Sequence, residues 1–126
     1  MNRDRRQGRV WLFLAGLNGA LAVSLGAYAA HGLDGLPKAL EWVDKGSRYQ
    51  MYHALALLAV AFLEEQGLRL ASLAGAFFTV GCVLFCGALY ALALLDLPVA
   101  WVAPIGGTAF ILGWLTLGVS AFVGRR

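Results

Sequence analysis

The sequence predicts an all-α integral membrane protein, a four-helix bundle with both termini in the cytoplasm. Three observations carry this. The chain of 126 residues is 60% hydrophobic and 13% charged, with a mean hydropathy of +0.72, whereas about a quarter of residues are charged in ordinary globular proteins. Apolar runs occupy residues 10–30, 51–63, 70–95 and 99–123, with nearly all charges in the gaps. Small residues recur along three of these runs at the spacing that lets helix backbones approach closely.

The first run, residues 10–30, clears the roughly 20 residues that a spanning helix needs. Arg3, Arg5, Arg6 and Arg9 precede it and Ala27-Tyr28-Ala29 ends it, as in a secretory signal. The run exceeds the roughly 7 to 15 residues of a signal core, however. Ala15, Gly19, Ala22, Gly26 and Ala29 also form a stripe at alternating four- and three-residue steps, and a disposable segment needs no packing face. We expect the segment to be retained.

In the loop that follows, Pro37 suits a helix start. Leu36, Leu40 and Val43 share a face while Lys38, Glu41 and Lys45 fall on others, and Trp42 suits a membrane interface. A short amphipathic helix on the outer leaflet is expected, with a solvated turn as the alternative. The second apolar run, residues 51–63, would reach only about 20 Å at 1.5 Å per residue. It must borrow from the polar run Arg48-Tyr49-Gln50-Met51-Tyr52-His53. Ser47 with Gln50 has the form of a capping box, which places the second span at residues 47–63 and carries Arg48, Tyr49, Tyr52 and His53 into the interfacial layer. The alternative is a re-entrant or surface helix.

Glu64, Glu65, Gln66 and Gly67 read as a cytoplasmic turn in which solvation explains both carboxylates. The third span, residues 70–95, has Ala74, Gly81 and Ala88 at seven-residue spacing. Its Cys82 and Cys86 read as packing residues, because one helical turn does not suit disulfide geometry. The fourth, residues 99–123, repeats the small-residue stripe at Gly106, Ala109, Gly113, Thr116 and Ser120. A repeat near 3.5 residues favours left-handed crossings. Residues 1–126 therefore read as one four-span domain.

Orientation follows from the short-loop charges. Arg3, Arg5, Arg6 and Arg9 precede the first span, Arg69 is in the second loop, and Arg125 and Arg126 end the chain, against Lys38, Lys45 and Arg48 for the first and third loops. Topology thus accounts for the net charge of +3. Nucleic acid is not expected as a partner, since it would want a denser basic surface.

This topology gathers polar residues on the outer side: His31 ends the first span, Arg48, Tyr49, Tyr52 and His53 open the second, and Tyr90 is near the outer end of the third. Pro104-Ile105-Gly106-Gly107 opens the fourth. Ionisable groups within or at the lip of a bilayer are costly, which makes them candidates for function. Helix N-termini here would attract an anion. The candidate ligand-binding residues are therefore His31, Arg48, Tyr49, Tyr52, His53, Tyr90, Gly106 and Gly107. The alternative is anchoring: Arg48 snorkels, the tyrosines form an interfacial belt and the histidines bond across the bundle.

No metal site is expected, because His31, His53 and Asp96 lack any recognised ligand spacing. No cofactor and no catalytic residue is expected either, for want of G-x-S-x-G, a P-loop or paired intramembrane carboxylates. Asn18, Ser24 and Thr79 could line a path, but interhelical hydrogen bonds of about 0.6 kcal/mol are their commoner use.

Gly26-Ala27-Tyr28-Ala29-Ala30-His31-Gly32-Leu33, Tyr49-Gln50, His53-Ala54-Leu55-Ala56, Leu84-Phe85-Cys86-Gly87-Ala88-Leu89-Tyr90, and Pro104-Ile105-Gly106-Gly107 with Gly113-Trp114 resemble the bacterial domain of unknown function 423. Its animal relatives are called transmembrane protein 256. The resemblance covers almost the whole chain and implies a small inner-membrane protein of four helices. It carries over no activity, cofactor or catalytic residue. Family members commonly have Phe-Gly-Ala-His where this chain has Tyr28-Ala29-Ala30-His31, and Ser-Gly-Ser where it has Cys86-Gly87-Ala88. The missing hydroxyls argue against a serine nucleophile there.

The function expected from these residues is a non-enzymatic module of the inner membrane. It would bind a lipid or other anionic amphiphile at the outer leaflet, or present that surface to a membrane-protein partner or a second copy of itself. Arg48 would pair with the anion, His31 and His53 would donate hydrogen bonds, and Gly106 and Gly107 would offer backbone N–H groups. The alternatives are a small transporter or proton-coupled carrier, and a metal-dependent membrane enzyme.

Overall fold

A computed structural model describes residues 3–126, and these are helical almost throughout. The elements are α1 (Arg3–Gly32), α2 (Pro37–Glu65), α3 (Ala71–Gly81), a π-helical turn (Cys82–Cys86), α4 (Gly87–Leu94) and α5 (Val102–Val119), which ends in a 3-10 turn (Ser120–Phe122). Because α3, the π turn and α4 run on continuously, the chain forms four rods. Three of them, Arg3–Gly32, Ala71–Leu94 and Val102–Phe122, are long and apolar enough to cross a membrane. Among the described residues there is no strand, only an isolated bridge pairing Leu68 with Arg125.

The first loop differs from expectation. The amphipathic segment and the second span are one continuous helix of 29 residues, about 43 Å long at 1.5 Å per residue. Pro37 begins it, so Ser47 and Gln50 lie mid-helix and form no capping box. Their side chains turn instead to α1: the Ser47 hydroxyl donates to the Ala22 carbonyl at 2.8 Å, and the Gln50 amide donates to Asn18 Oδ1 at 2.9 Å. A continuous helix satisfies every backbone group that a break here would expose to lipid.

Packing follows the small-residue stripes. On α1, Ala15, Ala22 and Ala29 are buried, and the face they form lies along α2. Ala74, Gly81 and Ala88 are buried on the third rod, as are Gly106, Ala109, Gly113 and Ser120 on the fourth. Backbone comes closest to backbone at Gly106, where an added Cβ would stand 2.3 Å from the Phe85 backbone nitrogen. The rings of Phe110 and Phe78 lie over Gly81 and Gly113 in the same way.

The core joins Trp11, Leu57, Val60, Phe78, Cys86 and Phe110 from all four rods. A smaller cluster of Ala29, Leu33 and Val43 closes the end opposite the termini. The helix α2 lies against α1 on one side and against α3 and α4 on the other, whereas α1 meets the third rod only narrowly. That central position explains its composition. The buried polar side chains of α2, Gln50, His53 and Glu64, meet protein groups, not lipid, and can be satisfied there.

Candidate functional site

One stripe of α2 organises the polar chemistry. Val43, Gly46, Gln50, His53, Leu57, Val60 and Glu64 are all buried, at strictly alternating three- and four-residue steps. Three of the seven are polar, and each is satisfied by a different neighbour.

At the end bearing the termini, Glu64 is 1% exposed. One carboxylate oxygen accepts from the Ser72 hydroxyl at 2.9 Å, and that hydroxyl accepts from the Trp11 indole N–H at 3.2 Å. The other oxygen is held by the Arg126 guanidinium, which also pairs with Asp4 at 3.2 Å. Burial disfavours charge on Arg126, but the two carboxylates outweigh it and raise its pKa above the ordinary arginine value. The Arg126 backbone N–H donates to the Gly67 carbonyl at 2.8 Å, and Gly67 has a φ of +79°, which suits the residue that ends a helix. Glu64 is therefore not a solvated turn residue: it ties the second rod to the chain ends, a role that the sequence reading missed.

In the middle of the molecule, Gln50 joins three helices. Its amide nitrogen donates to Asn18, its carbonyl oxygen accepts from the Tyr90 hydroxyl at 2.7 Å, and the Asn18 amide donates to the Leu14 carbonyl at 2.8 Å. Ser24 and Thr79 bond back to the carbonyls of Ala20 and Gly75 on their own helices, so of the three hydroxyl and amide residues expected to bond between helices only Asn18 does so.

His53 is held on every side. The Trp114 indole N–H donates to its Nε2 at 3.0 Å, and its Nδ1 lies 2.6 Å from the Tyr49 carbonyl. An indole nitrogen can only donate and a carbonyl can only accept, so the ring is neutral with its proton on Nδ1. It stacks on Phe110 at 3.6 Å between centroids and 8° between planes. Trp114 is a partner that sequence reasoning did not assign; its one signal was the Gly113-Trp114 motif.

The candidate residues separate into groups. Tyr49, His53 and Gly107 line a groove of about 470 Å³ between α2 and α5, with Phe85, Pro104 and Trp114. The Tyr52 ring lies 5.7 Å from that of Tyr49, and Arg48 precedes Tyr52 by one turn on the same face. Arg48 is exposed and paired with Asp44 at 2.9 Å. Tyr90 lines a second groove, of about 490 Å³, between α1 and the third rod. His31 is exposed at the end of α1 and lines neither groove.

Two expectations about backbone N–H groups are corrected. Arg48 lies eleven residues inside α2 (48 − 37 = 11), not at a helix N-terminus. On α5, Gly106 is the fifth residue and Gly107 the sixth, past the four unpaired N–H groups of a helix start. Val102 and Ala103 are themselves bonded to the carbonyls of Val99 and Ala100. Gly106 serves instead for close packing against Phe85. No group of three or more His, Cys, Asp or Glu side chains that could hold a metal occurs among the described residues.

Comparison with known proteins adds the following. A family profile described as protein of unknown function (DUF423) matches residues 25–107. The chain is 44% identical over 115 residues to a UPF0382 membrane protein of Haemophilus influenzae, covering 89% of this chain and 93% of that one. It is 42% identical over 118 residues to the UPF0382 membrane protein YwdK of Bacillus subtilis, covering 90% and 96%. It is 38% identical over 122 residues to the UPF0382 inner membrane protein YgdD of Escherichia coli, covering 94% and 93%. No solved structure matches.

Proposed function

The chain belongs to the DUF423 family and is an inner-membrane protein, and from that premise we propose that it is a four-span bundle holding an anionic amphiphile at its outer side. In this reading residues 1–126 form one membrane domain with both termini cytoplasmic, and the protein acts by binding rather than catalysis. The groove between α2 and α5 is the observation that carries the proposal. Its 470 Å³ suits part of an acyl chain, being within the roughly 300–1,000 Å³ of ligand pockets. Its walls are aromatic and aliphatic, with Pro104 and Gly107 leaving room beside the α5 backbone.

On α2 the side chains pass from exposed to buried in the order Arg48, Tyr52, Tyr49, His53, an arc set by 3.6 residues per turn. An apolar tail in the groove would leave its headgroup toward the outer end of α2, where the Arg48 guanidinium already reaches up to Asp44 and would exchange that carboxylate for a phosphate oxygen. Tyr49 and Tyr52 form the rim. His53 is a wall of this groove, since both ring nitrogens are already committed.

Native mass spectrometry in defined anionic lipids tests the reading. Wild type retains lipid, Arg48→Ala retains less of the anionic species, and Gly107→Phe, which fills the groove, retains neither anionic nor zwitterionic lipid. Equal retention by all three proteins removes the proposal.

A further inference from the structure

At the end of the bundle that bears the termini, α1 and α2 enclose a groove of about 220 Å³, lined by Gly8, Arg9 and Leu12 of one helix and by Ala61, Phe62 and Glu65 of the other. Its two charged walls are opposite in sign, and both residues are exposed. The ion pairs among the described residues join Arg48 to Asp44, and Arg126 to Asp4 and Glu64. The neighbouring carboxylates of Asp4 and Glu64 are thus spent on Arg126. Arg9 and Glu65 form neither an ion pair nor a side-chain hydrogen bond among the described residues, not even with each other.

Glu65 is set beside α1 by packing. A Cβ on Gly8 would stand 2.8 Å from Glu65 Cγ and 3.2 Å from the Ala61 carbonyl oxygen, so the bare glycine lets the glutamate stem lie against the helix. One carboxylate oxygen is 3.4 Å from the same Cβ position, next along α1 to Arg9. Arg5, one turn before Arg9, adds positive charge to that flank. Arg9 directly precedes the apolar run 10–30 and Glu65 follows the run 51–63, so both stand at the headgroup level of one leaflet. Leu12, Leu58 and Phe62, which follow on the membrane side, are exposed and present an apolar flank to acyl chains.

We propose that this groove binds the headgroup of an aminophospholipid of the phosphatidylethanolamine class, with its phosphate on Arg9 and its primary ammonium on Glu65. Charge complementarity selects this occupant. A guanidinium offers paired N–H groups to a phosphate, and a carboxylate accepts from an ammonium N–H. A purely anionic headgroup such as phosphatidylglycerol would meet Glu65 with no cation to offer it, and the trimethylammonium of phosphatidylcholine has no N–H to donate. The 220 Å³ of the groove is below the roughly 300–1,000 Å³ of drug-sized ligand pockets. That space suits a headgroup whose acyl chains stay outside, along Leu12, Leu58 and Phe62. The site lies toward the other end of α2 from Arg48, and neither proposal depends on the other.

The test is native mass spectrometry of the purified full chain, released from maltoside micelles that contain phosphatidylethanolamine, phosphatidylcholine and phosphatidylglycerol of identical acyl chains in equal amounts. Wild type is expected to retain phosphatidylethanolamine over phosphatidylcholine about tenfold, roughly the factor of one charge-assisted hydrogen bond. Glu65→Gln should bring that ratio close to one, Arg9→Gln should lower the retention of both lipids, and Arg48→Ala should leave the ratio unchanged. The first ratio is read on wild type alone and so needs no variant to fold. A wild-type ratio near one overturns the proposal, as does an undiminished ratio in Glu65→Gln that unfolds at the wild-type temperature. Loss of a wild-type dimer in Glu65→Gln overturns it too, because the groove then belongs to a second copy.

Discussion

The Trp114 indole donates a hydrogen bond to His53 Nε2 across 61 residues of sequence, at 3.0 Å, and thereby fixes the tautomer of the one buried histidine. His53 cannot gain a second proton without losing this bond. His53→Ala is expected to destabilise the fold by about 2–4 kcal/mol, as other large-to-small core changes do, because the stack on Phe110 goes with it. Trp114→Phe keeps most of the packing and should cost about 1–2 kcal/mol, near the upper range for one intramembrane hydrogen bond. A double-mutant cycle in mixed-micelle unfolding measures both, and simple additivity of the two losses contradicts the pairing.

Gly106 and Gly16 should behave oppositely although both are helical glycines. At Gly106 a Cβ would meet the Phe85 backbone, which cannot step aside, so Gly106→Ala should cost about 2–3 kcal/mol, as overpacking typically does. Gly16 has open space around it, so Gly16→Ala should be neutral or stabilising by up to about 1 kcal/mol. Thermal unfolding of the two variants in one detergent compares them directly.

Removing the Arg126 guanidinium leaves a fully buried Glu64 carboxylate with the Ser72 hydroxyl as its remaining side-chain partner among the described residues. Arg126→Ala is therefore expected to cost about 3–5 kcal/mol, the usual loss when one partner of a buried ion pair is deleted. Arg126→Ala with Glu64→Gln should recover part of this, since the neutral amide still bonds Ser72. Failure of the second change to recover any stability means that the pair is not energetically coupled.

Gln50→Leu should release α4 from α1 without emptying the core. It leaves the Tyr90 hydroxyl and the Asn18 carbonyl oxygen without their partner, at about 0.6–1.7 kcal/mol for each bond. Hydrogen exchange at the amides of α4 should accelerate while exchange in α3, which packs along α5, stays as in wild type.

Both termini are predicted to face the cytoplasm. Reporter fusions active only on one side of the membrane, placed after Arg126 and in the loop before Pro37, should give opposite signals; the same signal from both means an even number of spans between the two points and overturns the three expected there.

Much of the architecture was legible in the residues. Apolar run lengths located the three strongly hydrophobic rods, and the small-residue stripes of α1, the third rod and α5 are the faces that pack. The second rod was misread at its start because Ser47 and Gln50 fit a local capping pattern. Their side chains bond to α1 instead, and that partner is 25 to 32 residues away in sequence. The buried stripe from Val43 to Glu64 was present in the sequence as a three-four repeat, but a carboxylate beside a glycine-containing turn has an equally ordinary explanation in solvent.

By itself, then, the sequence determined the solvent of this protein, its helical class and the faces its helices use, because hydrophobic length and periodicity are local quantities. Only the tertiary structure decided which polar groups are spent and which are open. His53, Glu64 and Arg48 are each already engaged, and Gln50 is shared between Asn18 and Tyr90. A hydrogen bond depends on a partner within about 3 Å, and in this chain the decisive partners are far away in sequence, Trp114 and Tyr90 on other helices and Arg126 beyond the last helical turn.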